Sequence, residues 1–247
     1  MRVISYNLRQ RGKRDQWLGL AAERPDVLLL QESSDPATYA GADQGRWLWQ
    51  SVSTARFGSA LWARSGVLEP VPVPGFDGWI VMARITGHDA HPDPFFAASL
   101  HAPGHLGSYI GTVARMVDAI AALDRDGPLV LGGDFNMATG LRDQGESLVT
   151  TPAERRVLAR IESELQLAGC WQAANPGQQL PQTLRWVANP ATAYHCDGIF
   201  VSHTWLPRLR ACSILPTSHP AVTNAAGKVM SDHNPVLADF HAQDSPD

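Results

Sequence analysis

The sequence predicts an α/β protein built on a mixed β-sheet, and two kinds of pattern support this class. Short, continuous apolar runs, which are typical of buried strands, recur along the 247-residue chain. Stretches with helical spacing of apolar residues lie between these runs. The chain is 44% hydrophobic and 18% charged, so it is too apolar to be disordered and can bury a sizeable core.

The predicted strands are short runs of mainly aliphatic and aromatic residues that stop at a polar residue or a turn. In chain order they span residues 3–6, 27–30, 58–63, 79–85, 95–100, 129–131, 199–201 and 236–240. The proline cluster at 70–74 predicts an extended loop or an edge strand, because proline cannot donate to a central ladder.

Three helices are predicted between the strands, at residues 16–24, 109–123 and 153–167. The second is the most clearly amphipathic, since Ile110, Val113, Val117 and Ile120 share one face. Pro152 fits the first turn of the third helix. Residues 138–151 and 172–183 read as long loops, which are often functional in compact domains.

Residues 1–241 are expected to form one domain, followed by a polar tail at 242–247. No run approaches the roughly 18 apolar residues of a membrane helix, and no secretory signal is seen, so we expect a cytoplasmic protein. We also expect it to be a monomer. The three cysteines lack CxxC spacing, which predicts free thiols rather than a zinc site or disulfides. The net charge of −4 excludes nucleic-acid binding by bulk charge.

Polar side chains occupy the points where most of the apolar runs begin or end. In a mixed sheet, the carboxyl ends of some strands share an edge with the amino ends of their antiparallel neighbours. We therefore expect these polar groups to converge on one rim. They are Asn7, Glu32, His101, Asp134, Asn136, Asp197, Asp232 and His233.

The chemistry of this set indicates a divalent cation and a phosphate. Buried carboxylates repel one another unless a cation joins them. Oxygen ligands suit magnesium, with manganese or calcium as alternatives, better than they suit zinc. Histidines beside such a cation can donate to a phosphoryl oxygen or transfer a proton.

Each of these residues also has a plain structural interpretation when it is taken alone. Asn7 can be a turn residue, Glu32 a solvated strand end, His101 a core histidine and Asp197 a loop cap. Gly132-Gly133 can be only a tight turn. These alternatives do not explain why all of the residues recur at strand termini in one chain.

Six segments resemble the motifs of the endonuclease/exonuclease/phosphatase superfamily, which has the deoxyribonuclease I-like fold. The resemblance extends from residue 2 to residue 240. It implies a four-layer α/β sandwich, with two mixed β-sheets packed face to face and helices on the outside. The segments are VISYN (3–7), LLQE (29–32), SLHA (99–102), GGDFN (132–136), CDGIF (196–200) and SDHNPV (231–236).

The resemblance implies a magnesium site on the matching acidic residues. Glu32 would be the principal ligand, and Asn7 and Asp232 would lie close to the metal. Asp134 would orient or activate the attacking water, and Asn136 would help to position that water and the phosphate.

The resemblance also implies how the phosphate is handled. His101 and His233 would contact the scissile phosphate, and Asp197 would hydrogen-bond His233 and so favour its charged form. The implied reaction is in-line attack of water on phosphorus, in a metal-dependent phosphodiesterase.

The leading hypothesis for the substrate is DNA. The alternative is a small-molecule or lipid phosphoester, as in the sphingomyelinases or phosphatases of the superfamily. His101 stands where AP endonucleases of the exonuclease III type usually have a tyrosine, which weakens the case for abasic-site repair as the function. The arginines of the GDxNYR and WCDRIL motifs of inositol polyphosphate 5-phosphatases are missing here, which disfavours a phosphoinositide.

Four residues are candidates for substrate binding. Arg9 begins a basic stretch that continues through residues 11–14 and is placed for flanking phosphates, with a solvated loop as the alternative. Trp171, Arg185 and Trp186 resemble an aromatic loop of exonuclease III-like members and can hold a phosphate or stack on a base. Core packing of both tryptophans is the alternative.

Overall fold

A computed structural model describes residues 1–10, 12–40, 45–53, 55–142 and 148–242. Within these ranges, the chain forms two mixed sheets of six strands each. The strands are β1 (Arg2–Asn7), β2 (Val27–Ser33), β3 (Arg46–Ser51), β4 (Gly58–Ala63), β5 (Val67–Pro70), β6 (Ile80–Thr86), β7 (Phe95–His101), β8 (Leu129–Asp134), β9 (Leu167–Gly169), β10 (Asp197–Ser202), β11 (Leu209–Ile214) and β12 (Val236–Phe240).

Each sheet contains one parallel pair in an otherwise antiparallel ladder. The first sheet has the order β11-β12-β1-β2-β4-β3, and β1 and β2 are parallel. The second has the order β5-β6-β7-β8-β10-β9, and β7 and β8 are parallel. β12 runs antiparallel to β1, and β10 runs antiparallel to β8, so the beginnings of β12 and β10 lie at the ends of β1 and β8.

The helices are α1 (Arg14–Ala22), α2 (Tyr109–Ala121), α3 (Pro152–Leu165) and the short α4 (Cys170–Ala174). Ser108 caps α2 by accepting from the Gly111 N–H. Thr151 and Glu154 form a capping box at the start of α3, with Pro152 in its first turn. None of the described helices is long and apolar enough to cross a membrane.

Three hydrophobic clusters show that the layers are stacked in the expected order. One lies between the sheets and includes Leu29, Leu61 and Val130. A second joins the outer face of the second sheet to α2 and α3, and a third joins the outer face of the first sheet to α1. The four-layer sandwich expected from the resemblance is therefore confirmed.

All eight predicted strands and all three predicted helices are present, with shifted ends. The elements that the sequence patterns missed are β3, β5, β9, β11 and α4. Most of these strands are partly exposed edge strands without a continuous apolar run, so they lack the signal of a buried strand. Pro70 lies at the end of edge strand β5, as one of the two interpretations of the proline cluster expected.

Gly132 and Gly133 belong to β8 and not to a tight turn, which corrects that alternative. A Cβ on Gly133 would lie 1.9 Å from the carbonyl oxygen of Leu100 on β7. A Cβ on Gly132 would lie 2.7 Å from Leu29 Cδ1 across the sheet interface. The two glycines therefore allow close packing directly below the site.

Of the two predicted loops, 138–151 connects β8 to α3, with residues 143–147 outside the described ranges. The other prediction was partly wrong, because residues 172–174 belong to α4. Most of the predicted tail, residues 243–247, also lies outside the described ranges. Cys170, Cys196 and Cys212 are buried free thiols, as expected.

Candidate active site at the strand ends

The topology brings the motif residues to one rim of the sandwich. Asp134, at the end of β8, pairs directly with His101 on β7 and with Asp197 on β10. Asn7, at the end of β1 in the other sheet, donates from Nδ2 to Asp134 Oδ2 at 2.9 Å. The predicted convergence of strand ends is therefore present across both sheets.

Glu32 reaches this rim because β2 is irregular at its end. The pairing of β2 with β4 shifts between Leu30 and Ser33, and Glu32 has a left-handed φ of 49°. Its Oε1 accepts from Asn7 Nδ2 at 3.1 Å and lies 3.6 Å from His101 Nε2. The bulge thus turns the carboxylate toward the ends of the second sheet.

A mostly buried acidic cluster results, and its electrostatics fit a divalent cation. Burial raises the pKa of Glu32, and the charge of Asp134 raises it further. Burial also raises the pKa of Asp134. Ligand atoms of Glu32, His101 and Asp134 lie within 4.8 Å of one another. A hard dication bound there would offset the carboxylate repulsion, and the oxygens of Glu32 and Asp134 are donors of the kind that such a cation takes.

The other two expected metal neighbours are placed differently. Asn7 is fully buried, and its Nδ2 faces the carboxylates while its Oδ1 accepts from the Arg9 N–H at 2.9 Å. As oriented, the Asn7 amide nitrogen bridges the Glu32 and Asp134 carboxylates, and its oxygen is not available to a metal ion bound between them. Asp232 is half-buried, and its Oδ1 lies 3.7 Å from Arg9 Nε.

His233 lies between two buried carboxylates. Its Nδ1 is 2.9 Å from Asp197 Oδ2, and its Nε2 is 3.7 Å from Asp134 Oδ2. Burial by itself lowers the pKa of His233, but the charges of Asp197 and Asp134 outweigh burial and raise it to about 10. The imidazolium is therefore the resting form at neutral pH.

Asn136 completes the polar wall of the cleft. It has a left-handed φ of 50°, and its backbone N–H donates to Asp134 Oδ1 at 2.9 Å. Its Nδ2 donates to the carbonyl of Ala102 at 3.0 Å. This bend directs the amide toward the same space as His101, which lines the cleft beside it.

The cleft has a volume of about 700 Å³, and all the acidic and histidine groups above except Asp197 and Asp232 line it. The rest of its lining is mainly apolar and includes Met137, Leu184 and Tyr194. Arg142 is the sole lysine or arginine among the described lining residues, and its buried guanidinium donates to the carbonyls of Leu180 and Ala193. The cleft thus offers little positive charge to a substrate apart from its histidines.

The residues predicted to bind substrate lie in different parts of the structure. Trp186 lines the cleft and is 50% exposed. Trp171 is not among the cleft-lining residues and packs against the cluster between the sheets, which is the core alternative. Arg9 has a half-exposed side chain beside Asp232, outside the cleft lining. Residue 11 of the basic stretch lies outside the described ranges.

Arg185 is placed as a support for the His233 loop and does not line the cleft. Its backbone N–H donates to the Asp232 carbonyl at 2.8 Å. Its guanidinium donates to the Ser231 carbonyl at 2.7 Å and also to Asn234 Oδ1. These contacts differ from the substrate contact expected of Arg185.

Thr183 supports the other half of the Asp197–His233 pair, and the sequence reasoning missed it. Its buried hydroxyl accepts from the backbone N–H groups of Cys196 and Asp197, at 3.0 and 3.2 Å. Its carbonyl accepts from the Asn234 N–H at 2.8 Å. A single threonine in a loop carries no pattern, so no signal in the sequence pointed to it.

Trp79 is a second residue that was missed. Its ring centroid lies 5.4 Å from that of His101, and its carbonyl accepts from the His101 N–H at 2.8 Å. Trp79 immediately precedes β6, which is antiparallel to β7, so it lies at the rim by the same edge argument that located Asp197. That argument could have found it.

Fold and site together define a hydrolase that acts on phosphoester bonds. The chain belongs to the endonuclease/exonuclease/phosphatase family, whose model matches residues 5–233. This finding confirms the resemblance seen in the motifs. No curated protein sequence matches the chain significantly.

Solved structures support the fold. An AP endonuclease from Archaeoglobus fulgidus has a TM-score of 0.72 at 14% identity, covering 98% of this chain and 100% of that chain. The AP endonuclease LMAP from Leishmania major has a TM-score of 0.70 at 14% identity, covering 97% and 87%. The 3′ phosphatase NExo from Neisseria, bound to a product DNA hairpin, has a TM-score of 0.68 at 18% identity, covering 98% and 99%. At these identities the likeness shows the fold alone.

Proposed function

We propose that this protein is a magnesium-dependent phosphodiesterase that cleaves P–O bonds of DNA by in-line attack of water. One observation carries the proposal: two histidines, two carboxylates and a carboxamide from the ends of four strands line a single cleft. They are Glu32, His101, Asp134, Asn136 and His233.

In this proposal the cation belongs to the acidic end of the cleft. Glu32 is the principal ligand, and Asp232 is a nearby carboxylate. Asn7 orients the Glu32 and Asp134 carboxylates through its two hydrogen bonds. The bound Mg²⁺ supplies electrophilic stabilisation of a phosphoryl oxygen. Manganese or calcium satisfies the same oxygen donors.

The phosphate lies between His101 and His233. The charged His233 ring donates a hydrogen bond to a phosphoryl oxygen and stabilises the negative charge that builds up there. Asp197 accepts from the His233 Nδ1–H, which holds the ring with Nε2 toward the cleft. Asp134 accepts a proton or hydrogen bond from the attacking water, and Asn136 holds the phosphate beside it.

DNA is proposed because similar folds belong to DNA enzymes. The Neisseria neighbour is a 3′ phosphatase bound to a DNA product, and two other neighbours are AP endonucleases. Arg9 and the adjacent basic stretch provide local positive charge for flanking phosphates next to the acidic cluster. Trp186 provides an exposed ring for stacking.

Plasmid nicking tests this proposal. Purified protein with Mg²⁺ is expected to convert supercoiled plasmid to nicked circles, and a chelator should abolish the conversion. Glu32→Gln and His233→Asn should lose the activity, whereas Glu162→Gln, on the exposed side of α3, should retain it. Chelator-insensitive nicking, or equal nicking by all variants, would contradict the proposal.

A second candidate is a phosphoesterase for a small-molecule or lipid ester. The observation that favours it is the largely apolar lining of the cleft, in which the guanidinium of Arg142 is hydrogen-bonded to backbone carbonyls. A panel of phosphodiesters and phosphomonoesters distinguishes the two candidates. Turnover of a small ester with DNA untouched would replace the first proposal by the second.

Residues 1–241 are proposed to act as one domain and as a monomer. The three free cysteines fit a reducing compartment such as the cytoplasm. Sedimentation velocity of the purified chain, with and without reductant, tests the monomer.

A further inference from the structure

A second group of possible metal ligands lies beside the proposed magnesium site. One ligand atom from each of Asp134, Cys196, Asp197 and His233 lies within 4.8 Å of the other three, and all four residues are buried. Asp134 also belongs to the cluster with Glu32 and His101. The two groups therefore share one carboxylate but differ in chemistry.

The spacing of this second group fits a tetrahedral ion. Zinc bonds of about 2.0–2.3 Å to oxygen, nitrogen and sulfur separate tetrahedral ligands by about 3.4–3.6 Å. In this structure Cys196 Sγ lies 3.6 Å from Asp197 Oδ2, and His233 Nε2 lies 3.7 Å from Asp134 Oδ2. His233 offers only one of its ring nitrogens to the ion, and one ligand atom from each of the four residues lies within 4.8 Å of the others. Side-chain adjustments of less than about 1.5 Å would complete a tetrahedron, given those bond lengths.

The donor types favour a softer ion than magnesium. A thiolate and an imidazole are ligands that zinc and cadmium prefer, whereas magnesium prefers oxygen. The two carboxylates supply the negative charge that offsets a buried dication. Cys196 lines the cleft, so an ion that enters the cleft can reach the thiol.

We propose that Asp134, Cys196, Asp197 and His233 form an inhibitory zinc site inside the active site. Coordination displaces two protons to solvent, one from the Cys196 thiol and one from the His233 imidazolium, and nothing is oxidised or reduced. An ion held there engages Asp134 and His233, so they are unavailable to the attacking water and the phosphate, and it also removes Asp197 from its role in orienting the His233 ring. The inhibitory consequence rests on the proposed phosphoesterase function, whereas the binding site does not.

The test of binding uses Cd²⁺, which takes the place of zinc and shows an ultraviolet charge-transfer band when a thiolate coordinates it. Titration of the reduced, substrate-free protein with Cd²⁺ in excess Mg²⁺ is expected to produce this band, saturating at one ion per chain. Added Zn²⁺ should compete the band away. Absence of the band in the folded wild-type protein would overturn the proposal.

Matched cysteine variants locate the ligand. Cys196→Ala should abolish the band, whereas Cys212→Ala, which removes another buried thiol remote from the cleft lining, should retain it. Asp197→Asn keeps the thiol but weakens the site, so it should lower the cadmium affinity by at least about 10-fold. Circular dichroism checks that each variant is folded. A band that survives in Cys196→Ala would overturn the assignment.

Inhibition of turnover by Zn²⁺ is a second test, independent of the cadmium titration. With excess Mg²⁺ and a substrate that the enzyme turns over, Zn²⁺ should inhibit at the same concentration at which it displaces Cd²⁺. In Cys196→Ala the inhibitory concentration should rise by at least about 100-fold, which is the upper end of the roughly 10–100-fold typical for loss of an outer partner. Equal inhibition of both proteins would refute an inhibitory role for this site. If no phosphoester is turned over, the proposed function fails, while the cadmium band still decides the site.

Discussion

Thr183 provides the sharpest check on how the Asp197–His233 pair is held. Thr183→Val keeps the shape of the side chain but removes the hydroxyl that accepts from the N–H groups of Cys196 and Asp197. Both N–H groups are buried, and each one left without an acceptor costs about 1–3 kcal/mol. The variant should therefore lose about 2–6 kcal/mol of unfolding free energy.

The same substitution should affect turnover more than binding. Because Asp197 orients His233, a displaced Asp197 misaligns the ring, and a misplacement of about 1 Å can cost about 100-fold in rate. We expect kcat to fall by about that factor, with KM nearly unchanged. Chemical denaturation gives the free energy of unfolding, and steady-state kinetics on the best substrate give the two constants.

Thr183→Ser is the matched control because it retains the hydroxyl and removes one methyl group. It should lose only about 1 kcal/mol and keep most of kcat. The reasoning is refuted if Thr183→Val matches the wild-type protein in stability and kcat. It is also refuted if the serine variant is as impaired as the valine variant, since the hydroxyl would then be irrelevant.

Three further predictions concern chemistry, packing and pH. Asp134→Asn and His233→Ala should each lower kcat by about 10²–10⁴-fold, because each removes a group that acts on the reacting atoms. Both variants should keep a cooperative thermal transition. Loss of the folded state in His233→Ala would show that His233 is a structural residue instead. Gly133→Ala places a Cβ 1.9 Å from the Leu100 carbonyl oxygen, so denaturation should show a loss of about 1–3 kcal/mol or more; wild-type stability would contradict this close approach. Burial lowers the pKa of His91 below its value of 6.5 in the unfolded chain. As the pH falls below 6.5, His91 therefore binds a proton in the unfolded chain before it does so in the folded protein, and the free energy of unfolding should decline. His91→Phe should show a shallower decline, and identical slopes of unfolding free energy against pH would exclude this contribution.

The inner strands could be predicted from sequence because each is buried on both faces. A run such as that of β4 is fully buried, so it reads as one continuous apolar segment. An edge strand such as β11 is largely exposed, so its residues carry no such constraint. The order of the strands within a sheet depends on contacts between distant segments, and the family resemblance, rather than periodicity, indicated the two-sheet arrangement.

The motif residues could be located because polar groups at the ends of buried strands are exceptions to the apolar pattern. Asp134 and His101 are cross-strand neighbours in the structure, as the edge argument predicts. Glu32 also reaches the rim, but only the three-dimensional bulge in β2 shows how its carboxylate turns inward.

The sequence by itself determined which chemical groups this protein assembles at its sheet edge, because strand periodicity and chain direction place strand ends together. The tertiary structure alone decided what the neighbouring loop residues do. Arg185 holds the His233 loop, Trp171 packs against the cluster between the sheets and Trp186 lines the cleft. The sequence suggests one role for all three, as part of an aromatic loop that binds substrate. Cys196 joins a possible ligand group for the same reason: besides the adjacent Asp197, its neighbours Asp134 and His233 come from two distant segments, and only packing brings the ligand atoms within 4.8 Å of one another.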